Sequence, residues 1–275
     1  PSVVCGRYQN IFQEVRVPEA MRRKVSIMRR MSGGGCVFHD PGNVNYTLIL
    51  SGERGYDGVL GRALAALNRV GVPAARSGKT GLEIHGRKIS GSAQRVCHGR
   101  LLHHGTLLFD ADLDALRSLA NGPVDGYRSR GIPSQPLPVT NIREELDRDM
   151  TVEEFMEALA QAFQPDRILG AGSELEGKAR RLAKERYETW EWIFGNSPDY
   201  DFERQSEVEG APLKVAYRAR AGVITQLQME WDGRDVTGIR AALEGERLDA
   251  SELQERFCRI LKDTRAAGQF LDGMM

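Results

Sequence analysis

Cysteine is scarce, neither sign of charge is in excess and no long apolar run occurs, and each shortage removes a class of function. The four cysteines, Cys5, Cys36, Cys97 and Cys258, are scattered over 275 residues, and none stands in a CxxC pair. Metal spacing is therefore missing, and a chain this long needs no disulfide staples. Cys97 and His98 are adjacent, and on a strand they are expected to face opposite sides. Most of the cysteines read as small apolar fillers. Lys and Arg number 38, as do Asp and Glu, so the formal charge is zero and a broad nucleic-acid surface is not expected. An anion must be caught by a local pocket. No apolar stretch reaches the roughly 20 residues of a membrane span, and no basic-then-apolar leader opens the chain. The expectation is a cytoplasmic protein with no membrane and no nucleic-acid partner.

What is present suffices for a core: 41% of residues are apolar, and the length suggests roughly two domains. Residues 2–6 read as a short strand. Residues 18–25 read as a basic helix with Pro18 at its first position. Strand-like segments follow at 27–30, 36–39 and 45–50. Apolar residues at 59, 60, 63, 64, 67 and 70 make a helical stripe, ended by Gly71 and Pro73. Residues 82–84 and 88–93 form a hairpin around His85-Gly86, and 101–109 is a further strand. This order predicts an α+β domain, a mixed sheet with largely antiparallel pairing.

The texture then changes. Residues 121–138 hold Gly122, Pro123, Gly126, Gly131, Pro133, Pro136 and Pro138, a composition that predicts a long loop of the kind that covers binding sites. Thr151 and Glu154 make a capping box for a helix over 152–163. Residues 170–186 read as an exposed linker or weak helix. A hairpin runs from Leu213 through Gly222, and two short helices near 237–245 and 251–262 finish the chain. The second half thus reads as a separate small α+β unit.

Three constellations can carry chemistry. In the first, residues 29–40 (RRMSGGGCVFHD), three consecutive glycines expose backbone N–H groups that can nest a phosphate, with Arg30 beside them for a charge-assisted contact. The second is 86–94 (GRKISGSAQ), where Lys88 on a strand flanked by small residues can meet developing negative charge. The third is His103-His104-Gly105. One of two adjacent histidines on a strand must face inward, and on these residues alone a satisfied core histidine fits better than a base or ligand. Ser77-Gly78-Lys79-Thr80 imitates the end of a P-loop, but the required glycine is replaced by Pro73 and the element order is reversed. Cys36 has only His39 as a near base, three residues away on an extended segment, and no GxSxG elbow exists.

Together the strings at 29–47, 86–94 and 101–113 (LLHHGTLLFDADL) closely resemble the lipoate–protein ligase A family. GRYQN (6–10), VTNIREEL (139–146) and the stretch 190–201 extend the resemblance over most of the chain. It implies a biotin/lipoate-ligase-like catalytic domain over 1–187 and a small accessory domain over 188–275. It implies an ATP-dependent ligase that uses Mg²⁺, makes lipoyl-AMP, and lipoylates carrier lysines of 2-oxoacid dehydrogenase E2 subunits or glycine-cleavage H protein. By motif position Arg30, Gly35, Cys36, Val37, Phe38 and Lys88 would bind ATP, and Gly34, Gly35, Lys88, His104 and Gly105 would bind lipoate. Lys88 would be the catalytic residue. Val37 and Leu107 are expected to line an apolar tunnel for the acyl chain.

Two departures stand out. The chain begins almost at GRYQN, where family members usually carry a further N-terminal helix and strand. Thr80-Gly81 replaces a common Asn-Asp pair, so metal ligands are left unassigned. The rivals are a lipoyl or octanoyl transferase that needs no ATP, and a degenerate binder without catalysis. Transferases of this fold use a cysteine in the loop before the lysine strand, and residues 71–82 contain none.

Overall fold

The computed structural model describes residues 1–52, 55–120, 123–170 and 172–275. In chain order its elements are strand Ser2–Cys5 (β1), helices Ile11–Glu14 (α1) and Val17–Arg22 (α2), and strands Ser26–Arg29 (β2), Val37–His39 (β3) and Asn43–Ser51 (β4). Helix Asp57–Arg69 (α3) precedes strands Ala75–Ser77 (β5), Gly81–Ile84 (β6), Arg87–Cys97 (β7) and Arg100–Leu108 (β8). Helix Leu113–Ala120 (α4), strand Tyr127–Ser129 (β9) and helices Val152–Ala162 (α5), Ser173–Leu182 (α6) and Trp190–Ile193 (α7) follow. Strands Tyr200–Val208 (β10), Ala211–Arg220 (β11) and Val223–Trp231 (β12) lead to helices Thr237–Leu243 (α8), Ala250–Leu261 (α9) and Thr264–Met274 (α10).

The strands make three sheets, ordered β2-β1-β3, β4-β8-β7-β6-β5 and β12-β11-β10-β9. Only β1 and β2 pair in parallel among the named strands, so the antiparallel expectation holds. Of the predicted stripe of α3, Val59, Leu60, Ala63 and Leu67 are buried and Leu64 and Val70 half-buried, with Ala66 buried beside them. There it joins Leu82, Ile84, Phe109 and Phe155 in one hydrophobic cluster. The α5 capping box forms as spaced: Glu154 N–H donates to Thr151 Oγ1, and Thr151 N–H donates to the Glu154 carboxylate. A second cluster joins Val3, Cys5 and Phe12 to Phe202, Tyr217, Phe257 and Phe270, so the first and last parts of the chain share one core. No helix among the described residues is long and apolar enough to cross a membrane.

Four details differ from expectation. The stretch 121–138 contains β9, which pairs with β10 from Tyr127↔Phe202 to Ser129↔Tyr200; Asn121 and Gly122 of that stretch lie outside the described residues. Within 170–186, of which Ala171 also lies outside them, the helical alternative holds: α6 is a formed helix with every residue exposed, and what the sequence did not predict is the π-helical turn at Ala183–Tyr187 that continues it. The hairpin from Leu213 has a third partner in β10, and α10 is a third terminal helix that buries Phe270, Leu271 and Met274. Finally, Cys97 Sγ lies 3.2 Å from His98 Nδ1, because His98 leaves the strand into a turn with φ +49° and strand alternation no longer applies.

Candidate functional site

The glycine loop folds around an arginine. Arg30, just after β2, donates through Nη1 to Val4 O at 2.8 Å and through Nη2 to Gly33 O and Gly35 O, both at 2.7 Å. Gly34 closes the turn at φ +89°, where a Cβ would stand 2.9 Å from Arg30 Nη2. A bidentate contact from Arg30 to phosphate is what the sequence suggested. In the structure its two terminal nitrogens are engaged with carbonyls, so Arg30 braces the loop and contributes positive potential from behind it. Burial lowers its pKa from the ordinary value.

Two cavities flank this loop. The larger, about 470 Å³, lies between the loop and strands β7 and β8, and its walls include Arg30, Gly34, Gly35, His104 and Gly105. The smaller is a narrower slot walled by Phe38, Leu116, Pro136 and Leu137. Cys36, Val37, Lys88, Gly91 and Thr106 line both. Each residue expected to bind ATP or lipoate therefore faces one cavity or both. Leu107 does not: it is buried with Phe109 in the hydrophobic cluster. Strand alternation on β8 instead turns Leu102, His104 and Thr106 toward the larger cavity.

Lys88 sits where the cavities meet. Its backbone is held on one side by β6 and on the other by residues 138–140, with Lys88 N–H donating to Pro138 O at 2.8 Å and Thr140 N–H to Lys88 O at 3.2 Å. Among the described residues no acidic side chain pairs with its ammonium. Burial alone pulls its pKa below the usual lysine value. A desolvated cation without a counter-ion, facing open space, is a receptor for an anion.

Of the two histidines, His103 is fully buried on the core face, with Gln94 Nε2 2.9 Å from its Nδ1. His104 faces the cavity, and its Nε2 is 2.5 Å from Ser32 Oγ. Burial, then the Arg30 and His39 charges, bring His104 to about 4, so it is neutral at pH 7. Ser32, Tyr46, Tyr56 and Ser134 also line the site and were not singled out from sequence. The proline-rich composition of 121–138 was the one signal toward Ser134, as a binding loop.

Cys36 Sγ lies 2.8 Å from Cys5 Sγ. Burial first, then the Cys5 thiol, pushes its pKa well above the usual thiol value. The thiolate a nucleophile requires is thus disfavoured. Among the described residues no Asp or Glu lines either cavity. Asp40, the acidic residue of the glycine motif, accepts from Gly42 N–H and Asp112 N–H. Among the described residues no cluster of three His, Cys, Asp or Glu could hold a metal. The donor set does not fit a protein-held Mg²⁺.

A family model described as the lipoyl protein ligase A/B catalytic domain matches residues 1–164. A protein of Mycoplasma pneumoniae named probable lipoate-protein ligase A is 33% identical over 273 residues, covering 94% of this chain and 79% of that one. A solved lipoate-protein ligase A bound with ATP superposes with a TM-score of 0.58 at 24% identity, covering 71% of this chain and 82% of that one. A bipartite lipoate protein ligase from Thermoplasma acidophilum, solved in a study with its E2 lipoyl domain, gives 0.59 at 23%, covering 71% and 80%. At these identities the two solved structures establish a common fold.

Proposed function

The chain belongs to the lipoyl protein ligase A/B family and is an enzyme of the lipoate–protein ligase type, and from that premise we propose how its site works: it activates lipoate with ATP to lipoyl-AMP and passes the lipoyl group to a carrier lysine. The observation that carries this reading is Lys88, unpaired and desolvated at the junction of two cavities. The larger takes the acyl chain against Gly34, Gly35, His104 and Gly105. The slot takes the adenine between Phe38 and Leu137, with the Gly35–Phe38 backbone along the phosphates.

A carboxylate and a triphosphate repel one another, so their approach costs energy unless positive charge lies between them. Lys88 supplies it, holding the lipoate carboxylate beside the α-phosphate, and Arg30 adds to the same field. A lipoate oxygen attacks the α-phosphorus, the bond to the bridging oxygen breaks, and pyrophosphate leaves. A carrier lysine then attacks the acyl carbon and expels AMP. No side-chain nucleophile is needed. Mg²⁺, for which the described residues of the walls offer no carboxylate, would be held by the nucleotide's own phosphates. An E2 lipoyl domain, as in the archaeal study, and glycine-cleavage H protein are the carriers we propose. A division into a catalytic part, 1–187, and an accessory part, 188–275, is proposed on the family resemblance.

Lipoate-dependent exchange of pyrophosphate into ATP tests the reading. Exchange with lipoate and none without it is expected. If no exchange occurs while supplied lipoyl-AMP is still transferred to a carrier domain, the activity is transfer alone; if neither occurs, the ligase reading of this chain fails.

A further inference from the structure

We propose that Glu14, which lines neither cavity, is a positioning residue for the slot, acting through Ser134. The inference rests on the assignment of that slot to the nucleotide. Glu14 ends α1 and is only 2% exposed. Both its carboxylate oxygens accept from Ser134 N–H, at 3.0 and 3.3 Å. Ser134 Oγ in turn accepts from Cys36 N–H at 2.9 Å and from Gln9 Nε2 at 3.0 Å. Gln9 is anchored behind, accepting from Gly6 N–H at 2.9 Å, and it also donates to Ile132 O at 3.3 Å. One buried carboxylate thus sets the place of a loop residue, and that residue sets the amide at the head of β3. Hydrogen bonds to a buried ionised group are strong and directional.

The chain between Ser134 and Lys88 makes this placement matter. Pro133, Pro136 and Pro138 stiffen the segment by fixing φ. Its far end is tied to the Lys88 backbone through Pro138 O and Thr140 N–H. Ser134, Gln135, Pro136, Leu137 and Val139 form one wall of the slot, and none of them lines the larger cavity. Packing is tight at the hinge, since a Cβ on Gly35 would stand 3.0 Å from Ser134 Oγ. A shift at Ser134 is therefore transmitted to the nucleotide wall and to the Cys36 amide, while the walls that belong to the larger cavity alone, His104 and Gly105 among them, are not in its path. The Gln9 and Glu14 pair acquires a role in this way: the polar residues around GRYQN hold the loop that covers the slot.

The test is calorimetric titration of the full chain with Mg-ATP and, separately, with lipoate, in the wild type, Glu14→Ala, Glu14→Gln and Ser134→Ala. Glu14→Ala and Ser134→Ala are expected to weaken ATP binding about tenfold, the scale of one lost charge-assisted bond, and to leave lipoate affinity within about twofold. Glu14→Gln, which keeps an acceptor for Ser134 N–H, restores most of the loss. Equal weakening of both ligands, unchanged or tighter ATP binding, or no recovery with Gln overturns the proposal. If Glu14→Ala does not fold, Ser134→Ala and Glu14→Gln decide by the same criteria. Wild-type protein that binds lipoate and no ATP removes the nucleotide assignment itself, a different failure from a wild type that binds both while the variants bind alike.

Discussion

Arg29 Nη2 donates to Ser197 Oγ at 2.9 Å, joining residues 168 positions apart. The same guanidinium donates through Nη1 to the carbonyls of Gly6, Arg7 and Gln9 and through Nε to Ile193 O. Its own carbonyl accepts from Trp192 Nε1 at 2.7 Å. Arg29 is 2% exposed, and burial lowers its pKa to about 10. Three of the sequence motifs meet on this one side chain.

Removing it leaves four carbonyls and a hydroxyl without their donor in a dry place. Arg29→Ala is expected to cost about 3–5 kcal/mol of stability. Arg29→Lys loses the planar fork and recovers only part of that cost. Urea unfolding followed by tryptophan fluorescence measures both, and an Ala variant within about 0.5 kcal/mol of wild type, the range of an ordinary surface change, contradicts the assignment.

Gly105 pairs with Tyr46 across β4 and β8, and a Cβ on it would stand 2.5 Å from Tyr46 Cε1. Tyr46 is buried and walls the larger cavity, so it has little room to yield. Gly105→Ala is expected to destabilise by about 1–3 kcal/mol, the usual cost of overpacking. Lipoate affinity should fall further than ATP affinity. Binding isotherms for the two ligands check the difference; an equal loss would place Gly105 outside the acyl cavity.

Acid should unfold the protein from the β8 side. His103 and His104 are both held near 4 in the folded chain, mainly by burial, against an ordinary 6.5. Below pH 6.5 the unfolded chain takes up these protons first, so stability is lost progressively down to about pH 4 and no further below it. His39, also lowered by burial, adds with the same sign, whereas Glu14, raised by burial, opposes it. The expected result is a lower Tm at pH 5 than at pH 7.5, with the drop reduced in His103→Gln. An unchanged slope in that variant contradicts the buried, neutral state of His103.

Much of the site was legible because its chemistry depends on residue type and strand order. A glycine run after an arginine, and a lysine among small residues, mean the same thing in sequence as in space. The use of Arg30 was not legible, since only the folded loop brings Gly33 O and Gly35 O within reach of its guanidinium. Leu107 was misplaced because the face of β8 that meets the cavity is fixed by its pairing with β4 and β7. Strand β9 was hidden by its glycines and prolines, and it exists because β10 offers an edge to pair with. Glu14 gave no signal at all, as its partner Ser134 lies 120 positions away.

Whether the Lys88 ammonium holds the two substrates together is decided by single-turnover formation of lipoyl-AMP at saturating Mg-ATP and lipoate, wild type against Lys88→Ala. Adenylate formation is expected to fall by a factor of about 10³ or more, the scale of removing a key electrostatic group. The variant should melt no lower than wild type, because the lost group is a desolvated charge without a partner. A Lys88→Ala enzyme that forms lipoyl-AMP at near wild-type rate would contradict that role.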